Sequence, residues 1–404
     1  MAARSQRVAR RGGNILIMTR KRRFLIAIPA MCLLGLGGLA LVDAALPDSR
    51  LEMRGRLLTE LPGQPSDKEL AELRRYYEVV PAAWPQPTLD PSVEFHELGA
   101  LELPKEKPPQ AKVDLGKALF EDPLLSASGQ ISCQSCHNRD LGWGDGLKAS
   151  IGHDRSQGPR NATPLFNAFL RKTLFWDGRS TDLKEQAKDP LVNPIEMANH
   201  DMSGVVARLS ASPTYPARFA AAFGTEAIAA DQVLDALASF QSTLEERTRF
   251  DRFVQGNRGM LTDQQIFGLH LFRTKAGCLN CHNGPLLTDD KFHNLGLSLV
   301  GRPKEDVGRY VVTEDVDDVG RFRTASLRHV GQTGPYMHNG IVPTLRHAVL
   351  LYQTGGGRTR ARPGNAKDAA HPLMEFAGRT SPLLKPLGLS VEERAALVAF
   401  LESL

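Results

Sequence analysis

The sequence predicts a mainly α-helical protein with two similar domains in tandem, preceded by an N-terminal membrane segment and a stalk. Three observations support this prediction. A Cys-x-x-Cys-His motif occurs twice, at residues 133–137 and 278–282. Several stretches have helical spacing of apolar residues, whereas few have the alternation typical of strands. An uncharged apolar stretch, residues 24–42, follows a basic leader.

Each Cys-x-x-Cys-His motif is typical of a covalent attachment site for a c-type haem. Two intervening residues let both sulfurs reach one edge of the porphyrin, and the next histidine turns toward the iron as its proximal ligand. A zinc site is disfavoured because zinc-binding pairs usually lie close in sequence, and a thioredoxin-like motif would need a βαβ context. The remaining cysteine, Cys32, lies in the apolar run and is interpreted as a buried hydrophobe. The predicted haem residues are Cys133, Cys136 and His137 for the first haem, and Cys278, Cys281 and His282 for the second.

The N-terminus explains the net charge of +5, because basic side chains are concentrated before residue 24. The overall basicity is therefore no argument for nucleic-acid binding. Residues 24–42 are just long enough to span a bilayer and longer than a typical signal-peptide core. Residues 42–44 (Val-Asp-Ala) offer a cleavage site, so a signal anchor and a removed signal peptide both stay open. We expect the rest of the chain in the periplasm, anchored to the bacterial inner membrane, or soluble there if the leader is cleaved.

The chain is divided into five predicted segments. Residues 1–23 form a basic cytoplasmic leader and residues 24–45 the signal anchor or signal peptide. Residues 46–108 form a stalk, with a helix after the capping box Ser66-Asp67-Lys68-Glu69 and an irregular proline-rich part from residue 81. Residues 109–258 form the first haem domain and residues 259–404 the second.

The two haem domains share a weak internal repeat. The pattern Gly-x-x-Leu-Phe precedes each haem motif, at residues 116–120 and 268–272, and Asn138 and Asn283 follow the motifs. We predict helices over residues 114–120 and 231–250, a second capping box at residues 262–265, and a final helix from Ser390 that buries Leu397, Leu401 and Leu404. A haem supplies much of the apolar core of such a small domain, which favours a cytochrome c-like fold in each half.

Three longer motifs resemble the bacterial di-haem cytochrome c peroxidase family, which includes the MauG-type enzymes. They are residues 175–179 (Phe-Trp-Asp-Gly-Arg), 193–197 (Asn-Pro-Ile-Glu-Met) and 333–340 (Thr-Gly-Pro-Tyr-Met-His-Asn-Gly). The match extends over roughly residues 112–404 by these motifs. The resemblance implies a peroxidatic haem in the first domain and an electron-relay haem in the second.

The resemblance assigns roles around the first haem. Glu196 matches the catalytic carboxylate that moves a proton between the peroxide oxygens, and Gln186 and Pro190 match its neighbours in the distal pocket. His153 matches a loop histidine that ligates the peroxidatic iron in the resting state and leaves when the other haem is reduced. For a lone Glu or His, a surface residue would be the simpler interpretation.

The resemblance also implies two elements between the haems. Trp176 matches a tryptophan that carries electrons between them, although packing in the core is an equally ordinary role for tryptophan. Asn161, Thr333 and Pro335 match the oxygen ligands of one calcium ion.

The second haem departs from the peroxidase pattern. Where the peroxidases place an axial methionine, this sequence has Tyr352, as in the MauG-type enzymes. A tyrosinate ligand stabilises ferric iron, because the identity of the axial ligand tunes the redox behaviour. Met337 or Met374 remains open as the alternative ligand, with Tyr352 then a packed aromatic residue.

These observations favour a di-haem peroxidase that reduces hydrogen peroxide to water with electrons from a small periplasmic cytochrome c or cupredoxin. The alternative is a MauG-type oxidase that uses peroxide and paired high-valent haems to oxidise Trp or Tyr side chains of a partner protein. A second alternative is a membrane-tethered di-haem electron carrier. Relatives are often dimers, so a homodimer is also expected, and no nucleic-acid partner is.

Overall fold

The computed structural model describes residue 61 and residues 63–404. The predicted leader and apolar segment, residues 1–45, lie outside the described residues. No helix within residues 63–404 has the length and apolar character needed to cross a bilayer.

The described part of the chain is mainly helical, as the sequence predicted. The strands β1 (Phe292–Asn294) and β2 (Arg321–Arg323) form a short antiparallel pair in which His293 lies opposite Phe322. The α-helices are α1 (Asp67–Tyr77), α2 (Gln110–Glu121), α3 (Leu183–Val192), α4 (Met202–Ser210), α5 (Tyr215–Phe223), α6 (Ala230–Gln241), α7 (Arg249–Val254), α8 (Asp263–Arg273), α9 (Tyr310–Thr313), α10 (Leu345–Gln353), α11 (Ala366–Ala369), α12 (Met374–Ala377) and α13 (Val391–Leu401).

The weak repeat corresponds to a helix crossing that occurs in both halves. In the first half α2 packs against α6, and a Cβ on Gly116 would lie 1.9 Å from the carbonyl oxygen of Ala236. In the second half α8 packs against α13, and a Cβ on Gly268 would lie 2.1 Å from the carbonyl oxygen of Ala396. The glycine of each Gly-x-x-Leu-Phe pattern therefore lets two helix backbones touch.

Two main hydrophobic clusters lie around these crossings. The first is built from residues 115–244, including Leu119, Phe120 and Phe240. The second contains residues of α8 and α13 together with residues from the N-terminal side of the chain. The exact boundary between the two haem domains stays a prediction.

The segment predicted as a stalk is part of the second cluster, and this differs from the expectation. Leu73 and Tyr77 of α1 are fully buried there, and Trp84 and Leu98 are almost fully buried. The proline-rich part is irregular, but its aromatic and aliphatic side chains find apolar partners on α8. Composition alone suggested a solvated linker, whereas burial of these side chains fixes the segment on the domain.

Both predicted capping boxes are present, at Ser66 and Thr262, and the final helix begins after a third capping box at Ser390. Each is worth about 1 kcal/mol, because it satisfies backbone donors at the helix start. The predicted helix over residues 231–250 was wrong in length, since α6 ends at Gln241 and α7 begins at Arg249. The hydroxyls of Ser242 and Thr243 donate to backbone carbonyls of the last turn and end α6.

Candidate functional site: two Cys-x-x-Cys-His loops

The two Cys-x-x-Cys-His loops have the same local geometry. In each, a short 3₁₀ turn begins at the first cysteine, and the backbone N–H of the histidine donates to that cysteine's carbonyl, at 3.0 Å for His137 and 2.8 Å for His282. In the second loop, both cysteines and the histidine face one cavity. None of the four cysteines forms a disulfide.

Both histidines are oriented by a backbone carbonyl. His137 Nδ1 lies 3.0 Å from the Trp143 carbonyl oxygen, and His282 Nδ1 lies 3.1 Å from that of Leu287. A carbonyl can only accept, so each Nδ1 carries the proton and each Nε2 is left as a lone-pair donor. Burial lowers the pKa of both imidazoles, which keeps them neutral. Free thiols beside a neutral imidazole with its Nε2 available fit covalent haem with histidine ligation.

A cavity of about 540 Å³ opens beside the second loop. Its volume lies within the range of roughly 300–1,000 Å³ that cofactor sites occupy. Cys278, Cys281 and His282 line it, together with Phe272 of α8 and residues 88–91 of the N-terminal segment. The cavity therefore has the attachment residues, the proximal ligand and an apolar wall that a haem needs.

Tyr352, at the end of α10, lines the same cavity. Burial and the neighbouring Cys281 and Cys278 sulfurs raise the pKa of Tyr352 well above its usual range. Of the alternative ligands, Met337 also lines the cavity, whereas Met374 packs with a separate small cluster around Val300. Tyr352 and Met337 therefore both line the cavity that would hold the second haem, and the ligand assignment stays a prediction.

A second polar group lies beside Cys281. His293 Nε2 is 2.8 Å from Asp289 Oδ2, and both residues come close to the Cys281 sulfur. Burial alone would lower the pKa of His293, but hydrogen bonds to Asp289 and the sulfur raise it to about 9. Asp289, His293 and Cys281 could hold a metal ion, but a haem thioether would use the sulfur. His293 lines the cavity, and Asp289 pairs with it from behind the cavity lining.

Glu196 lies close to the first haem loop, where its charge acts on Cys136. The carboxyl is held by Asn193, whose Nδ2 donates to Glu196 Oε1 at 2.9 Å. Burial raises the pKa of Glu196, and the nearby Arg179 guanidinium offsets part of this rise. A partly buried carboxyl with a raised pKa is suited to proton transfer.

The loop that carries His153 is docked directly on Glu196. The backbone N–H of His153 donates to the carbonyls of Ile195 and Glu196. A Cβ on Gly152 would lie 2.2 Å from the Ile195 carbonyl oxygen, so only glycine permits this approach. His153 Nδ1 is buried without a hydrogen-bond partner, and Asp154 and Arg155 both have left-handed backbone conformations, which are uncommon outside glycine.

The other predicted pocket residues lie on α3, which leads into Glu196. Gln186 and Pro190 are both half-buried, and the Pro190 carbonyl accepts from the backbone N–H of Met197. The helix and the following turn thus connect Gln186, Pro190 and Glu196 within one continuous segment.

Trp176 connects the predicted calcium residues to the second cavity. Its Nε1 donates to the carbonyl oxygen of Asn161 at 3.0 Å, and both residues line the cavity together with Thr333 and Pro335. Asn161 is buried, and its side-chain Nδ2 donates to the Leu147 carbonyl at 2.7 Å. The structure brings these residues together, and calcium binding stays a prediction.

Ion pairs fix the Phe-Trp-Asp-Gly-Arg segment. Asp177 is nearly fully buried and accepts from Arg160 at 2.6 Å and from Arg179 at 3.1 Å. Arg160 also forms a two-point pair with Asp306, at 2.6 and 2.8 Å. Arg179 continues to Asp189 of α3. This network holds Trp176 and the segment that leads to Glu196 in one arrangement.

Sequence reasoning missed several residues of these sites. The carbonyls of Trp143 and Leu287 leave no trace in side-chain patterns. Residues 88–91 were assigned to the stalk, so their position in the second cavity was not anticipated. The position of Arg179 near Glu196 has a sequence signal, because Arg179 ends the Phe-Trp-Asp-Gly-Arg motif.

Comparisons with known proteins agree with this geometry. Residues 110–259 match the family model described as di-haem cytochrome c peroxidase. The chain is 36% identical over 333 residues to the cytochrome-c peroxidase IdrP1 of Pseudomonas sp. (strain SCT), covering 75% of this chain and 83% of the relative. It is 41% identical over 297 residues to the methylamine utilization protein MauG of Methylorubrum extorquens, covering 72% and 78%. The crystal structure of a MauG-like protein associated with microbial copper homeostasis superposes with a TM-score of 0.65 at 31% identity, covering 78% and 95%.

Proposed function

The chain belongs to the family of di-haem cytochrome c peroxidases and MauG proteins, oxidoreductases that act on peroxide, and from this premise we propose that it is a peroxidase. It reduces hydrogen peroxide to water with electrons from a small periplasmic cytochrome c or cupredoxin. The observation that carries the proposal is the partly buried carboxyl of Glu196 beside the first haem loop, with its raised pKa.

When bound, each haem supplies an iron that exchanges electrons with peroxide or with the other haem. The protein side chains supply orientation and protons. The Trp143 carbonyl fixes the His137 ring, so that Nε2 points away from the loop. Glu196, positioned by Asn193, takes a proton from the inner peroxide oxygen and delivers it to the outer one, which then leaves as water. Gln186 and Pro190 form the wall beside this carboxyl.

The His153 loop controls access to the first site in this proposal. The loop rests on the backbone of Glu196, and its unpartnered Nδ1 is a nitrogen free to bind metal. The left-handed residues after His153 store backbone strain, which would favour release of the loop once His153 no longer binds metal. Release of the loop would uncover Glu196 to peroxide.

Cys278, Cys281 and His282 would hold the second haem, which would relay electrons, and Trp176 lines the same cavity and donates to the Asn161 carbonyl. Tyr352 in this cavity favours one alternative function, a MauG-type oxidase of Trp or Tyr side chains on a partner protein. An anionic oxygen ligand would lower the potential of the relay and favour stored oxidising equivalents. Fast peroxide turnover with a reduced small cytochrome favours the peroxidase, whereas oxidation of a partner's aromatic residues without such turnover favours the alternative.

The remaining expectations complete the proposal. The protein works in the periplasm, either tethered to the inner membrane by residues 24–45 or released by cleavage. One calcium ion bound by Asn161, Thr333 and Pro335 would couple the two haem halves, because these residues come from both halves and line one cavity with Trp176. A homodimer is also expected.

The substitution Glu196→Gln tests the proposal, because the amide keeps the size of the side chain but cannot exchange the proton. We expect peroxidase turnover to be lost while both haems remain attached, as counted by the pyridine haemochrome spectrum. Glu121→Gln, at the exposed end of α2, is the matched control and should retain full turnover. Unchanged turnover in Glu196→Gln would remove this carboxyl from the mechanism.

A further inference from the structure

Tyr77 is a fully buried phenol with a basic partner. It ends α1, and its Oη lies 3.0 Å from His270 Nδ1 of α8 and 3.4 Å from Arg273 Nη1. Arginine can only donate, so the phenol oxygen accepts from Arg273. Burial and the Arg273 charge lower the pKa of His270 to about 4, which keeps the imidazole neutral. The phenol O–H is therefore satisfied by donating to Nδ1, because a buried unpaired donor would cost about 1–3 kcal/mol.

A continuous run of aromatic rings joins this pair to the second haem cavity. Tyr77 contacts Trp84 with ring centroids 5.3 Å apart, and Trp84 contacts Phe250 at 6.3 Å. Phe250 contacts Phe400 at 5.8 Å, and Phe400 contacts Phe272 at 5.4 Å. Phe272 lines the cavity with Cys278, Cys281 and His282. Each ring touches the next, so no gap separates the phenol from the cavity wall.

We propose that Tyr77 is a redox-active residue that stores one oxidising equivalent delivered by peroxide to the second haem. In this step one electron leaves Tyr77 and reduces the oxidised haem by one unit. The phenolic O–H bond breaks and an N–H bond forms at His270 Nδ1. The products are a neutral tyrosyl radical and an imidazolium, and an electron from the donor protein later reverses both transfers. The inference rests on the proposed reaction with peroxide.

The surroundings favour Tyr77 over its neighbour Trp84 as the resting place of the radical. Trp84 Nε1 donates to two backbone carbonyls, those of Tyr77 and Val79, which cannot take up a proton. Tyr77 has an imidazole instead. The Glu97 carboxylate pairs with Arg273 and balances its charge, so the proton that arrives on His270 does not add to an uncompensated buried cation.

A purely structural role is the alternative, because the same hydrogen bonds fasten α1 to α8. The two roles differ in what happens after oxidation. A structural bond needs only an acceptor at position 270, whereas radical formation needs a base. Glutamine at this position can accept the phenol hydrogen bond but cannot take up its proton.

The test is freeze-quench electron paramagnetic resonance (EPR) on the full-length di-haem protein mixed with equimolar hydrogen peroxide, with optical spectra in parallel. Ring-deuterated tyrosine should narrow the radical signal, which identifies it as a tyrosyl radical. The signal should be lost in Tyr77→Phe and in His270→Gln, with both haems still attached. Tyr215→Phe, which removes another buried phenol in the first hydrophobic cluster, should keep it.

Each other outcome counts against the inference. A signal that survives in Tyr77→Phe, or one that deuteration does not narrow, overturns it directly while the peroxide reaction stands. A full signal in His270→Gln overturns the role of the imidazole as proton acceptor. Haem spectra that do not respond to peroxide overturn the proposed function, and this inference with it.

Discussion

The repeated helix crossing predicts that a Gly→Ala substitution lowers Tm at the crossing, whereas the same substitution in another helix raises Tm. A Cβ at Gly268 would lie 2.1 Å from the Ala396 carbonyl oxygen and 2.7 Å from Phe400 Cβ. Real Cβ contacts need at least 3.0 Å, so α8 and α13 must separate by about 1 Å. Overpacking of this kind costs about 1–3 kcal/mol. In a domain of about 150–250 residues, this lowers Tm by roughly 2–4 °C per kcal/mol.

Gly204 provides the matched control. It lies inside α4, and the nearest atom to an added Cβ is Arg208 Nη1 at 3.4 Å, an ordinary van der Waals distance. Ala is preferred over Gly within a helix by about 0.5–1 kcal/mol. Gly204→Ala should therefore raise Tm slightly, while Gly268→Ala and Gly116→Ala lower it. Thermal unfolding of the holoproteins followed by circular dichroism measures the difference, and an unchanged or raised Tm in Gly268→Ala would refute the close crossing.

Three further predictions concern charge and ligands. Arg179→Gln removes a cation that lowers the pKa of Glu196, so the acidic limb of the pH profile of kcat/KM should move to higher pH. Arg179→Lys keeps the charge and should move the limb less. A profile that does not move in Arg179→Gln contradicts the coupling. His270 binds a proton near pH 6.5 when unfolded but only near pH 4 when folded, so the free energy of unfolding should fall by about 3 kcal/mol as the pH drops from 6.5 to 4. His270→Gln should remove this fall in the free energy of unfolding, as measured by acid unfolding. The same fall in both proteins would disprove the role of His270. Calcium present at about 100 times its Kd should stabilise the protein by about 2.7 kcal/mol. Chelation of calcium should therefore lower Tm in the parent protein but not in Asn161→Ala. An equal fall in Tm in both proteins would remove Asn161 from the calcium site.

Much of the fold could be predicted from local sequence patterns. The capping boxes at Ser66, Thr262 and Ser390 mark helix starts because the hydrogen bonds lie within four residues. The helix crossing was visible only as the repeated Gly-x-x-Leu-Phe pattern. The break between α6 and α7 was not predicted, because the apolar spacing continues past the end of α6 to Leu244. The hydroxyls of Ser242 and Thr243 that end the helix interrupt no apolar position.

The candidate sites were predictable where side chains carry the chemistry and unpredictable where backbone or distant packing does. The Cys-x-x-Cys-His motifs specify their ligands through spacing alone. The carbonyls that orient His137 and His282 cannot be read from residue types. Tyr77 and His270 lie far apart in the chain, and their pairing depends on how the N-terminal segment packs on α8.

EPR of the oxidised and half-reduced holoprotein tests the central claim, that two alike Cys-x-x-Cys-His loops form unequal haem sites. We predict two distinct ferric signals. Tyr352→Phe should change one of them, because Tyr352 lines the second cavity, and reduction of the second haem should change the other as His153 leaves the first iron. Two equivalent signals, or a spectrum that neither Tyr352→Phe nor half-reduction alters, would contradict the account.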